Sequence, residues 1–95
     1  MYKSRNTKVN NTNDGVDIIF YDTVIASINH CNHTVILNSG GYKTDSTKRR
    51  INAVLDDLYK RDCSLHSVDN SWVIRTLDRD MVRDIAFEDN MVLNF

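Results

Sequence analysis

Residues 35–59 read VILNSGGYKTDSTKRRINAVLDDLY. The stretch divides into the end of a strand, a glycine pair, a polar loop and one amphipathic helix. Ile51, Val54, Leu55 and Leu58 fall at i, i+3, i+4 and i+7, a single apolar stripe on the 3.6-residue period. Thr44, Asp45 and Ser46 are all N-cap residue types, which marks the helix start without fixing it to one residue. Gly40-Gly41 supply positive φ for a sharp turn between strand and loop. Elsewhere the apolar residues come in short runs. This is therefore expected to be the one long helix, and any sheet must bury its inner face against it.

Upstream, Val16–Tyr21, Thr23–Ile28 and Thr34–Asn38 are β-rich runs separated by turn-forming residues, which predicts a three-stranded antiparallel meander. Downstream, Ser64–Val68 and Ser71–Arg75 flank Asp69-Asn70 and read as a β-hairpin, with Trp72 as a core anchor. Residues 77–84, LDRDMVRD, read as a loop or a single helical turn. Ile85–Phe87 and Met91–Leu93 flank Glu88-Asp89-Asn90 and read as a final short hairpin or edge pair. The fold class is α+β, a small antiparallel sheet on one helix. One domain spans residues 15–95, and residues 1–14 form a flexible basic arm carrying Lys3, Arg5 and Lys8. No proline occurs, so strand edges must be blunted by charge.

Ninety-five residues, 41% apolar and 26% charged, suit one modest core. No apolar run reaches the roughly 18–20 residues of a membrane span and no signal peptide opens the chain, so a cytoplasmic location and no membrane partner are expected. Two cysteines, Cys31 and Cys63, are too few for a disulfide scaffold. The charge is uneven. Residues 1–50 hold seven Lys/Arg against four Asp, giving +3, and residues 51–95 hold five Lys/Arg against nine Asp/Glu, giving −4.

Three constellations could carry chemistry. Lys48-Arg49-Arg50 lie in the first turn of the helix, with Lys43 just before and Tyr42 beside them for stacking or packing. Cations there oppose the helix dipole, and free backbone N–H groups point outward, so the group suits an anion such as a nucleic-acid backbone. It lacks the Gly-Lys-Ser/Thr of a phosphate-binding loop. His30, Cys31, His33, Cys63 and His66 have zinc-ligand chemistry but the wrong spacing, because Cys63 and His66 point to opposite faces of a strand; no metal site and no cofactor are expected. Asp78, Asp80, Asp84, Glu88 and Asp89 form an acidic stretch that could dock on a basic protein surface. No nucleophile sits in an elbow or triad context, so no catalytic residue is assigned and the protein is not expected to be an enzyme.

The segment LNSGGYKTDSTKRRIN, Leu37 to Asn52, resembles a motif of small bacteriophage proteins. The shared pattern is Leu37-Asn38-Ser39-Gly40-Gly41-Tyr42, Thr44, Thr47-Lys48 and Arg50-Ile51-Asn52, followed later by Trp72-Val73 and by Phe87-Glu88-Asp89-Asn90-Met91. Those relatives commonly carry glycine in place of Asn90. The resemblance implies a phage origin, hence host cytoplasm, and no established activity. It leads to a non-enzymatic phage accessory protein binding nucleic acid, or a host complex that handles nucleic acid, through Tyr42, Lys43, Lys48, Arg49 and Arg50. The alternative is a protein–protein inhibitor of a host defence system acting through the acidic stretch. A small metal-dependent nuclease is the remaining reading, and a homodimer is a further option for assembly.

Overall fold

The computed structural model describes residues 6–60 and 62–95. Among the described residues there is one α-helix, α1, which spans Asp45–Tyr59. Thr44 is the residue that caps it: its side chain accepts the Thr47 N–H at 3.2 Å. The helix ends at Lys60, which adopts left-handed backbone (φ 50°) while its N–H bonds the Asp56 carbonyl. The apolar stripe is buried as expected: Ile51, Val54 and Leu55 are fully shielded, and Leu58 packs at the margin.

Eight strands form two sheets around this helix. In chain order they are β1 (Thr7–Asn11), β2 (Gly15–Phe20), β3 (Thr23–Asn29), β4 (Thr34–Leu37), then after the helix β5 (Cys63–Val68), β6 (Ser71–Asp78), β7 (Met81–Ala86) and β8 (Met91–Asn94). The larger sheet runs β1-β2-β3-β4-β8 and the smaller β5-β6-β7, every pairing antiparallel. The fold is thus α+β, with more strands and a different partition than the sequence suggests. The meander has four strands rather than three. Residues 77–84 are neither loop nor helical turn; they are the end of β6, a tight turn and most of β7. The final pair also separates: β7 stays with the small sheet, while β8 crosses to pair with β4.

Of the segment read as a basic arm, Lys3 and Arg5 lie outside the described residues, and Thr7–Asn11 is a strand paired with β2. Val9 faces Ile18 in that pairing, one apolar residue in an otherwise polar strand. Gly15 opens β2 because a Cβ there would sit 1.8 Å from the Ile28 carbonyl oxygen of the next strand. A register shift between Ile18 and Ile19 leaves Ile25 as an extra residue of β3. That bulge lets two consecutive residues, Ile25 and Ala26, both be buried.

The inner face of the large sheet is built in rows: Ile18, Ala26, Leu37 and Met91 face one another across four strands, and Val16, Ile28, Val35 and Leu93 form the next row. The helix touches β3 on this sheet and β5 on the small one. Cys63, Leu65, Trp72 and Ile74 complete a single core. Phe87, just beyond β7, closes it with its ring edge against Trp72 at 5.3 Å.

Asn52 joins helix to small sheet. Its Nδ2 donates to the Leu65 carbonyl (3.0 Å) and its Oδ1 accepts the Leu65 N–H (2.6 Å), so one amide satisfies both main-chain groups on the outer edge of β5. Replacing Asn52 by Ala is expected to lower unfolding free energy by about 1–3 kcal/mol, because two half-buried main-chain groups lose their partner; urea unfolding followed by Trp72 fluorescence checks this.

Burial also marks Cys63, whose thiol is pushed up to about 11 from the ordinary 9.0. A raised folded-state value contributes stability that is fully present below pH 9 and is lost as pH rises through about 11. The urea midpoint is therefore expected to fall across that window, and Cys63→Ala should flatten the fall; a midpoint independent of pH there would contradict the assignment. Tyr59, raised by burial to about 12, extends the same trend at still higher pH.

Candidate functional site

Successive helical residues are separated by about 100°, and this governs the fate of the Lys48-Arg49-Arg50 triplet. Lys48 turns toward the small sheet, its Nζ 3.5 Å from Ser67 Oγ and 4.0 Å from Asp45 Oδ1. Arg50 turns the other way. Its guanidinium lies 4.0 Å over the Phe20 ring, Nε donates to Thr7 Oγ1 at 2.8 Å, and Nη1 donates to the Ser46 carbonyl at 3.0 Å. Arg50 is thus a tie between β1, β2 and α1. Arg49 faces solvent between the two. Lys43 leans over Phe87 with its ammonium 5.9 Å from the ring centre, and Tyr42 is 74% exposed. The triplet is divided over three directions rather than gathered into one patch.

The acidic residues also divide. Asp78 ends β6, Asp80 lies in the turn and Asp84 lies on β7, so these three share one hairpin. Asp84 is bound to Arg75 across the strands by two bonds, Nε to Oδ1 at 2.8 Å and Nη2 to Oδ2 at 3.1 Å. Those hydrogen bonds, with the positive charge behind them, hold the Asp84 carboxyl below the usual carboxylate range. Glu88 is exposed in the segment after Phe87. Asp89 is turned to structural use: its Oδ1 accepts both the N–H and the hydroxyl of Ser39, each at 2.8 Å. Beside it Asn38 donates to Asn90 Oδ1 at 2.8 Å, and the Asn90 N–H bonds the Leu37 carbonyl at 2.8 Å.

A feature with no sequence forecast lies on β7. All six of its residues are exposed. Leu77 (47%), Met81 (56%), Val82 (62%) and Ile85 (46%) leave apolar surface on both faces of the β6–β7 hairpin. Arg79 and Asp80 carry positive φ (47° and 68°), the two-residue turn whose twist suits a hairpin. Phe87 N–H bonds the Trp72 carbonyl at 3.0 Å. In an antiparallel ladder this alternation points the main-chain groups of residues 81, 83 and 85 at β6 and those of Val82, Asp84 and Ala86 at the open edge.

The other edges are tied by side chains or polar, except that β8 leaves Val92 56% exposed. Asn52 satisfies β5, the Tyr59 hydroxyl donates to the Asn94 carbonyl of four-residue β8, and β1 reads TKVNN. On β7 the two charged residues, Arg83 and Asp84, sit together between apolar pairs, so the expected blunting by charge is present, but only in part.

The histidine and cysteine set is dispersed. Cys63 is buried, His66 pairs with Ser64 Oγ at 2.7 Å, and Cys31 is exposed near Asp14, whose hydrogen bond and charge raise its thiol. Among the described residues no three His, Cys, Asp or Glu side chains are grouped to hold a metal ion, and no helix is long and apolar enough to cross a membrane.

The family model of the Kyanoviridae Gp96 protein matches residues 1–94. The chain belongs to this phage protein family. No curated protein and no solved structure matches it. In this Gp96 family member, residues of Leu37–Asn52 and Phe87–Met91 take structural roles. Asn38, Ser39, Asp89 and Asn90 latch the loop after β4 to the entry of β8. Arg50, Ile51 and Asn52 tie, bury and pin the helix. Gly40 (φ +67°) lies where a Cβ would come within 2.5 Å of Thr23 Oγ1.

The division of the basic triplet sets a direct expectation. Arg50→Ala should lower stability by about 1–3 kcal/mol, since it removes bonds to Thr7 and Ser46 and the stack on Phe20, whereas Arg49→Ala should stay within about 0.5 kcal/mol. Thermal and urea unfolding of both variants measure the contrast; equal effects would contradict it.

Proposed function

We propose that this Gp96 family member is a non-enzymatic phage accessory protein that acts by binding another protein, with the β6–β7 hairpin as its contact surface. The observation that carries the reading is β7 itself: an edge strand exposed along its whole length, apolar on both faces, with no strand among the described residues paired to its edge at Val82, Asp84 and Ala86. Monomeric proteins protect such edges because they pair readily with another chain. An extended segment of a partner can add as a fourth strand, gaining main-chain hydrogen bonds, while Leu77, Val82, Met81 and Ile85 supply apolar pockets on alternate sides. Asp78 and Asp80 at the turn add an acidic rim that favours a partner segment bearing Lys or Arg. A host defence complex or a host complex that handles nucleic acid is the partner class this reading favours.

Capture from nuclease-treated bacterial lysate tests it. A stoichiometric protein partner is expected with the unaltered chain and with Arg49→Ala. Val82→Asp should cut capture at least about tenfold, as one buried charge opposite apolar surface costs more than 1.4 kcal/mol. Val82→Pro should do the same by removing an edge-facing N–H while leaving the bonds to β6 in place. Capture that ignores both Val82 variants would sink the proposal.

Capture that vanishes with nuclease would instead favour contact with nucleic acid. Exposed Tyr42, with Lys43 and Arg49 open to solvent, is the feature that supports this second reading, and its gel shifts should weaken steeply with salt.

A further inference from the structure

Between the β2–β3 turn, the glycine loop and the start of α1 lies a half-open cavity of about 460 Å³. This size falls within the usual range for a small-molecule site. Phe20 and Ile25 are its apolar wall, and Tyr21 and Tyr42, residues 62% and 74% exposed, also line it. Thr23 and Ser46 add hydroxyls, and Asp22 adds a carboxylate with no hydrogen-bond or ion-pair partner among the described residues.

Tyr21 stands out in a second, independent way. It adopts φ 54°, a left-handed conformation that glycine takes freely and a bulky side chain takes at a cost. Asn6 holds it there, accepting the Tyr21 N–H at 2.8 Å and donating to the Tyr21 hydroxyl at 3.1 Å. A large aromatic, its ring centre 4.7 Å from that of Phe20, is thus kept at a strained turn position beside a cavity. Strain retained at a cavity is a pointer to binding.

We infer that this cavity binds a single guanine nucleoside, free or as an unpaired residue of a strand. The rings of Tyr21 and Tyr42 offer faces on which a base can stack. The carboxylate of Asp22 only accepts hydrogen bonds. Among the bases, guanine alone presents two adjacent N–H donors, N1–H and N2–H, matched to the two oxygens of a carboxylate. The hydroxyls of Thr23 and Ser46 suit the ribose. This site is independent of the β7 edge, so either can fail without the other.

The test is titration of the full chain with guanosine, adenosine and a short single strand carrying one guanine, followed by backbone amide NMR shifts and calorimetry. Guanosine is expected to shift the amides of Tyr21, Asp22, Thr23 and Ser46, with adenosine at least about tenfold weaker. Tyr42→Ala and Tyr21→Gly should each weaken binding about tenfold or more, in line with the loss of one stacking partner. Tyr21→Gly relieves the positive-φ strain, so its fold is expected to survive, and unfolding curves verify that. Asp22→Asn should abolish the preference for guanosine over adenosine.

Tighter binding of the strand than of guanosine assigns the base to a polymer, and equal binding assigns the free nucleoside. No shifts at millimolar guanosine or with the strand would overturn the inference. So would affinities unchanged within about twofold in Tyr21→Gly and Tyr42→Ala.

Discussion

One helix serves two sheets, and the rest of the structure follows from that shortage. An α-helix with its side chains is about 10–12 Å across, whereas adjacent strands are spaced at about 4.8 Å. A single helix therefore covers roughly two strands on either side. Helix α1 meets the large sheet at β3 and the small sheet at β5, and the shared core fills in around Ile51, Val54 and Leu55. On the small sheet it packs on β5, and Leu65, Trp72 and Ile74 are buried in the shared core. The third strand, β7, lies beyond reach. Ile85 and Met81 face the same side as Ile74 in the strand register, yet they stay 46% and 56% exposed. The apolar surface of β7 is thus a direct consequence of how little helix the chain possesses.

Polar side chains compensate where packing is thin. Three of them hold elements that the core alone does not join. Asn52 binds the free edge of β5, Arg50 gathers β1, β2 and the first turn of the helix, and Asp89 seizes Ser39 to fix the crossing into β8. Asn52 and Arg50 are half-buried and Asp89 binds the buried Ser39, so leaving a partner unpaired costs more than the bond itself contributes. This explains why residues of a conspicuous motif can be structural. Leu37–Asn52 and Phe87–Met91 stand far apart in sequence and look like two signatures of chemistry. In space one end of the first, Leu37–Ser39, meets Asp89 and Asn90 of the second in one latch.

The helix was legible because its period is long and unbroken from Ile51 to Leu58, and Asp69-Asn70 was legible as a turn because both residues tolerate positive φ. Residues 77–84 carry no comparable signal. Arg79 is a poor advertisement for a two-residue turn, and the charges of Asp78, Asp80, Arg83 and Asp84 mask a strand whose apolar residues are not alternating cleanly. A clean alternation arises when one face is buried; β7 buries neither, so the signal had no physical source. The crossing of β8 was likewise hidden, since pairing with β4 depends on contacts some fifty residues apart in sequence. Of the candidate residues, their identities were readable but their directions were not. Adjacent helical positions diverge by about 100°, so three consecutive cations could not share a face, and only partners such as Phe20 and Ser67 determine where each one goes.

An exposed apolar edge must still avoid indiscriminate pairing, and β7 has the means. Arg83 and Asp84 at its centre place charge on opposite faces, and Asp84 is already bound by Arg75. A second copy of β7 laid antiparallel about a two-fold axis would have to set Asp84 against Asp84, or Arg83 against Arg83, in either register that uses the full edge. Like charges facing each other across strands are destabilising. A foreign strand escapes this restriction, because it can present Lys or Arg where self-pairing presents its own kind. Under the proposed protein-binding function, the charge pattern that disfavours self-pairing would also leave the edge open to a complementary partner. That selectivity, rather than exposure alone, is what distinguishes a docking edge from an aggregation hazard.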